Sequence, residues 1–125
     1  MSVHPTQEQL TIIKQKYYDK PFTMVNLLQF KGGNKKEESR RMYHEYTKQV
    51  APIIQEINAK VIYLGVVHDV FIGDSNDMWD EVLLVYYPSG KMFLQMIAME
   101  KYQHANTLRE AALEKCVLLI TEKLI

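Results

Sequence analysis

The order of hydrophobic patterns along these 125 residues predicts an α+β domain of the ferredoxin-like kind, a split βαββαβ arrangement preceded by an extra helix. Three observations carry this. After an opening helical stretch, patterns of period two and period 3.6 follow as strand, helix, strand, strand, helix, strand. No internal repeat or low-complexity tract interrupts them. The length suits one domain, since domains usually run to roughly 100–200 residues. The chain 1–125 therefore reads as a single domain, with residues 1–20 as an N-terminal helical extension.

Thr6 followed by Gln9 is a capping-box pattern, and Leu10, Ile13 and Tyr17 recur at helical spacing, so a short helix opens the chain until Asp19-Lys20-Pro21 stops it. From Phe22 to Phe30 the chain is extended, with Phe22, Met24, Leu28 and Phe30 on one face and Val25 and Leu27 on the other. The polar loop from Lys31 to Lys36 follows, and Asn34 with Glu37 supplies a cap for the next helix. That helix carries Met42, Tyr46, Val50, Ile53 and Ile57. Pro52 lies inside it and predicts a bend or split near Val50, because proline removes a backbone hydrogen bond.

Lys60 to Ile72 is rich in Val, Ile, Tyr and Phe and reads as the second strand, with Gly65 as a bulge or a point of close approach. Gly73-Asp74-Ser75-Asn76-Asp77 is a turn leading to a third strand, Trp79 to Tyr87, stopped by Pro88, so the two form a hairpin. Ser89 caps a helix carrying Met92, Phe93, Met96, Ile97 and Met99, which continues or restarts through Tyr102 to about Leu113. Cys116 to Thr121 is the last strand.

With both helices on one side of an antiparallel sheet, each strand should alternate apolar and polar. These strands do not. Val82, Leu84 and Tyr86 oppose Leu83, Val85 and Tyr87, and Ile62, Leu64 and Val66 oppose Val61, Tyr63 and Val67. A second face that apolar would exceed the contiguous patches of about 300–600 Å² that monomers expose, so a homodimer is expected, one sheet covering its copy.

Lys plus Arg number 15 against 15 Asp plus Glu, which gives no electrostatic footprint for nucleic acid or an anionic membrane. No apolar run approaches the roughly 20 residues of a membrane helix. Met1-Ser2-Val3-His4-Pro5-Thr6 has neither the basic start nor the apolar stretch of a secretory signal. The single cysteine, Cys116, cannot form an internal disulfide and precedes the apolar run Val117-Leu118-Leu119-Ile120, which suits a reducing, cytoplasmic setting.

The pieces Met24-Val25-Asn26-Leu27-Leu28-Gln29-Phe30-Lys31, Tyr43 to Tyr46, Trp79-Asp80, Tyr87-Pro88-Ser89, Phe93, Met96, Tyr102-Gln103 and Arg109-Glu110-Ala111-Ala112-Leu113 together resemble the domain of unknown function 1330 family, within the dimeric α/β-barrel superfamily. The resemblance runs from Pro5 onward. It implies a dimeric barrel with a cleft between sheet and helices. The superfamily includes cofactor-free monooxygenases, small-lactone isomerases and haem enzymes, so the fold alone does not name a reaction.

Candidate site residues stand out as polar groups in apolar stripes. Asn26 interrupts the stripe Phe22, Met24, Leu28, Phe30, where its amide either satisfies local backbone or contacts a ligand or oxyanion. His68 stands between Val66 and Val70 as a candidate general base or a core histidine, with Asp69 on the opposite face. Arg109 shares a stripe with Ala98, Tyr102, Ala105 and Ala112, and either clamps a carboxylate or phosphate or pairs with an acid such as Asp80. Tyr43, Tyr46 and Tyr102 edge a pocket or fill core. Trp79 and Asp80 begin the third strand, where the indole floors a cleft or simply packs.

Other motifs fall away. Gly32-Gly33 lacks the spacing of a phosphate-binding loop, and Asp74, Asn76 and Asp77 lack the later glutamate of a calcium loop, Val85 standing in its place. His4, His44, His68 and His104 lack metal-ligand spacing, so no metal is expected. Haem degraders of the superfamily place an asparagine on the first strand, a tryptophan near the end of the third and a histidine on the following helix. Asn26 and His104 fit that pattern, but Trp79 falls at the start of its strand, and no cofactor is expected.

The resulting expectation is a small-molecule-binding protein in which His68, Asn26 and Arg109 are catalytic candidates and Tyr43, Tyr46, Trp79, Asp80 and Tyr102 ligand contacts. A cofactor-independent isomerase or monooxygenase acting on a small organic acid is one form of it. The alternative is a non-catalytic dimeric sensing or interaction module.

Overall fold

The structure is a computed structural model that describes residues 3–125. The chain runs α1 (Gln7–Lys16), β1 (Phe22–Phe30), α2 (Glu37–Glu56), β2 (Lys60–Val66), β3 (Glu81–Tyr87), α3 (Gly90–Ala98), α4 (Glu100–Ala112) and β4 (Leu113–Thr121). The strands form one antiparallel sheet in the order β2-β3-β1-β4, as the ferredoxin-like arrangement requires. Within one chain the sheet is open, not closed into a barrel. Among the described residues no helix is long and apolar enough to cross a membrane.

Local chemistry explains the ends. Thr6 Oγ1 accepts from the Gln9 amide and the Gln9 side chain accepts from the Thr6 amide, completing the capping box of α1. Ser89 accepts from the Met92 amide and starts α3. At α2 the expected cap is not used: Asn34 lies in a 3-10 turn, Gly33–Lys35, and the N-cap is Lys36 with no side-chain bond. The helix also runs through Pro52 without splitting. The cap and the proline each concern one or two backbone groups in a helix of 20 residues whose inner face, Tyr43, Tyr46, Val50, Ile53 and Ile54, is buried. Tertiary packing outweighs single-residue signals at that length.

β1 and β3 alternate buried and half-buried along their length. The strand register extends this to the neighbours. Met24, Asn26 and Leu28 face the helices and pair with Ile120, Leu118 and Cys116, while Val25 and Leu27 pair with Leu119 and Val117 on the open face. That open face also carries Val82, Leu84 and Tyr86 of β3, beneath no helix.

β2 departs most from expectation. It ends at Val66 and not at Ile72, and its register shifts between Val61 and Tyr63. The bulge therefore sits at Ile62. It places Val61 with Leu64 and Val66 on the helix side, opposite Val85, Leu83 and Glu81, and leaves Tyr63 and Gly65 on the open face. This overturns the expected pairing of faces, because one extra residue inverts every side chain after it. Gly65 is instead the close-approach point: a Cβ there would stand 2.3 Å from the Tyr63 hydroxyl, whose ring lies over it. β3 begins at Glu81, leaving Trp79 and Asp80 in the connection 67–80, so the hairpin is real but its loop is long.

Candidate functional site

The buried core lies between the helix-facing side of the sheet and α2, α3 and α4. Asn26 is in it, 8% exposed, and its Nδ2 donates to the carbonyls of Met24 (3.2 Å) and Leu83 (3.1 Å). The amide thus satisfies backbone acceptors, the simpler of its two readings. Leu28, Tyr43, Met96, Ala105 and Ala112 belong to the same buried core, so side chains fill the helix side of the sheet where a cleft was expected. Two shallow surface hollows lie elsewhere, one at the α2–β2 corner and one within the loop after β2.

His68 belongs to the second hollow, with Asp69, Val70, Gly73, Asp74, Ser75 and Met78. It is exposed, beyond the end of β2, and not on a buried apolar face. The structure does not bring it to Asn26 or Arg109. Trp79 is half-buried, with Lys115 Nζ 5.0 Å from the ring centroid, on the open-face side of β4. It does not floor the helix side of the sheet. Asp80 accepts from the Phe30 amide (2.8 Å) and from Lys36 Nζ (2.9 and 3.0 Å), tying the start of α2 to the sheet. It is not a partner of Arg109.

Arg109, Tyr43, Tyr46 and Tyr102 do come together. α4 places Arg109 against α2, where Tyr43 stacks on Phe30 (5.5 Å) and on Tyr46 (5.3 Å). The hydroxyls of Tyr46 and Tyr102 are 2.9 Å apart. Two hydroxyls in one hydrogen bond use one of their two protons, so the pair keeps a second proton to donate. Burial pushes the phenols of Tyr43, Tyr46 and Tyr87 well above the ordinary tyrosine value, the charge of Arg109 only partly opposing it, so they are neutral donors at neutral pH.

Arg109 is 8% exposed. Its Nη1 donates to the Val3 carbonyl (2.9 Å) and its Nη2 to Cys116 Sγ (3.4 Å). Among the described residues no carboxylate lies within ion-pair distance of it. Burial opposes its charge, but the guanidinium is so basic that it remains a cation at neutral pH. A cation this deep without an anion is costly and uncommon.

A second polar cluster was not anticipated. Glu81, 1% exposed, receives Arg40 Nη1 and His44 Nε2, the latter at 2.9 and 3.0 Å from its two oxygens. Arg40 also covers the Phe30 ring at 5.4 Å. The signal existed in the sequence: Glu81 shares the parity of Leu83, Val85 and Tyr87, and Arg40 and His44 are four apart on one helix face. Among the described residues no group of histidine, cysteine and acidic side chains has the geometry to hold a metal.

The chain belongs to the domain of unknown function 1330 family, whose model matches residues 34–123. No curated protein matches it. A Rhodopseudomonas palustris protein of unknown function has a similar structure, with 25% identity, a TM-score of 0.87, and 98% of this chain and 97% of that one covered. A Bacteroides fragilis protein, described as dimeric, ferredoxin-like and of unknown function, is 10% identical with a TM-score of 0.59 over 82% of this chain and 96% of its own. A Caulobacter crescentus protein described as a candidate antibiotic biosynthesis monooxygenase is 11% identical, with a TM-score of 0.59 over 87% and 94%. The last two likenesses show the fold.

Proposed function

We propose that this chain is a homodimeric, cytoplasmic small-molecule-binding protein whose site is centred on Arg109 and accepts the carboxylate of a small organic acid. The observation that carries this reading is the buried guanidinium, which has no carboxylate within ion-pair distance among the described residues. Its Nη1 already holds a carbonyl oxygen, that of Val3, which a ligand carboxylate would replace with a charge-assisted bond. The spare proton of the Tyr46–Tyr102 pair supplies a donor for a second ligand oxygen. In this reading Asn26, held by the Met24 and Leu83 carbonyls, makes no ligand contact.

The dimer is supported by the uncovered face of the sheet. Val25, Leu27, Val82, Leu84, Tyr86, Val117 and Leu119 share it, and a second copy would cover it and bring two open sheets together. The description of the Bacteroides fragilis protein as dimeric agrees with this.

A cofactor-independent isomerase or monooxygenase is the catalytic form of the reading. The filled core on the helix side of the sheet favours a second one, a non-catalytic sensing or interaction module. Native mass spectrometry of protein taken directly from cells separates them. A dimer carrying a small acid, lost in Arg109→Met, supports the binding site. A dimer with no retained mass, and no heat of binding with small carboxylates in calorimetry, leaves the module. A monomer at micromolar concentration removes the dimer.

A further inference from the structure

Residues 3–6, which precede α1, belong to no strand or helix. They are nevertheless held on α4 at two successive residues. The Val3 carbonyl accepts from Arg109 Nη1 at 2.9 Å, and His4 Nδ1 lies 3.6 Å from Glu110 Oε1. Asn106 Nδ2 donates to the same Glu110 oxygen at 2.9 Å and so fixes the second anchor from within α4. The Val3 side chain is half-buried against the core, while His4, Pro5 and Thr6 are exposed. Val3 thus stands between a buried guanidinium and residues that face water. Its carbonyl oxygen carries only a partial charge, whereas a carboxylate carries a full one and can take two parallel N–H bonds from the guanidinium fork.

The seating of α1 does not depend on these residues. Just past its C-terminal end, the carbonyls of Tyr17 and Tyr18 accept from the amides of Gly90 (2.8 Å) and Lys91 (3.0 Å), and Ile13 of the helix is buried. Thr6 is the junction, with extended backbone (φ −81°, ψ 164°), and its capping box closes on Gln9. Residues 3–5 can therefore leave α4 with α1 still in place. We propose that they form a strap that closes the Arg109 site in competition with the ligand. The Val3 carbonyl occupies the guanidinium in the empty protein, and a bound carboxylate expels it. This regulation rests on the reading of Arg109 as the carboxylate site. A strap of this kind keeps the buried cation hydrogen-bonded when no acid is bound, which offsets part of the cost of holding a charge there. It also lowers the affinity for an acid by the fraction of the protein in the open form, because only that form binds.

Acetate is the probe, titrated into the full chain against sodium chloride at equal ionic strength and followed by NMR, with the His4 ring signal identified by its loss in His4→Gln. Saturation with acetate is expected to move that signal to its position in a free peptide of residues 1–6, and to leave it unmoved in Arg109→Met. A chain without residues 1–4 keeps Thr6 and its cap, and should bind acetate more tightly by about 10-fold or more, the worth of a hydrogen bond to a charged group. Val3→Gly keeps the chain length, removes the packing of the strap on the core, and should tighten binding by about 5-fold. It carries the test if the shortened chain does not fold. Equal affinity in the full chain and in these variants, or a His4 signal indifferent to bound acetate, overturns the strap. The two readings fail separately. Acetate held equally with and without residues 1–4, and lost in Arg109→Met, leaves the carboxylate site and removes the strap. Acetate binding that persists in Arg109→Met, or is absent from the full and shortened chains alike, removes the site, and the strap as its regulator with it.

Discussion

Replacing Arg40 by Met removes the guanidinium from Glu81 while leaving an aliphatic chain over Phe30. Glu81 is 1% exposed, so water cannot replace the lost partner, and only His44 still reaches it. Breaking a buried ion pair from one side costs about 3–5 kcal/mol, and the remaining histidine bonds argue for the lower end. For a chain of this length about 3 kcal/mol corresponds to a fall in Tm of about 11 °C. Thermal and urea unfolding at one fixed protein concentration would measure it, because a dimer makes apparent stability depend on concentration. The double variant Arg40→Met, Glu81→Gln should recover about 1–2 kcal/mol relative to Arg40→Met, since it no longer buries an unpaired charge. A loss below about 1 kcal/mol, or strict additivity in that cycle, would refute the account of Glu81 as a desolvated carboxylate held by α2.

Three further outcomes follow from contacts already described. Asn26→Asp places an acceptor against the Met24 and Leu83 carbonyls and should lower urea stability by at least about 2 kcal/mol; an unchanged midpoint would mean that the amide does not bind them. Gly90→Ala drives a Cβ to 2.6 Å from the Tyr17 carbonyl oxygen and should cost more than about 2 kcal/mol, whereas Gly65→Ala meets only the mobile end of the Tyr63 ring and should cost less than about 1 kcal/mol; melting curves in the opposite order would show that the approach of α1 to α3 is loose. Tyr43, Tyr46 and Tyr87 have folded-state pKa values raised above the ordinary 10.0, so they favour the folded state only while protonated. Stability from this source is constant below about pH 10 and falls above it, as the unfolded chain ionises first. Tyrosinate absorbance should therefore show these three ionising only with unfolding, and their titration in the intact fold would refute the burial.

Local periodicity made the framework legible. The capping box at Thr6, the alternation of β1 and β3, the Ser89 cap and the stripe of α2 are short-range patterns, each set by the geometry of a helix or strand that the residues themselves satisfy. The doubly apolar strands showed in the same way that one face of the sheet lacks a cover. Single-residue signals were less dependable: Ser89 caps its helix, but Asn34 does not. The bulge at Ile62 inverted half of β2, and the strand ended six residues before its apolar run did, leaving His68 in a loop.

Partnership is what the sequence alone left open. Asn26, Arg109 and Asp80 were all visible as polar groups in apolar stripes, but not what each would meet. Asp80 went to Lys36, Asn26 to the backbone of its own and the neighbouring strand, and Arg109 to a carbonyl 106 positions away. Glu81 was legible as an inward-facing residue of β3, yet its partners lie 37 and 41 residues earlier on α2. Periodicity reports which way a side chain points, because it is written in the local backbone. Which charge it finds there depends on how distant elements pack, and only the tertiary structure decides that.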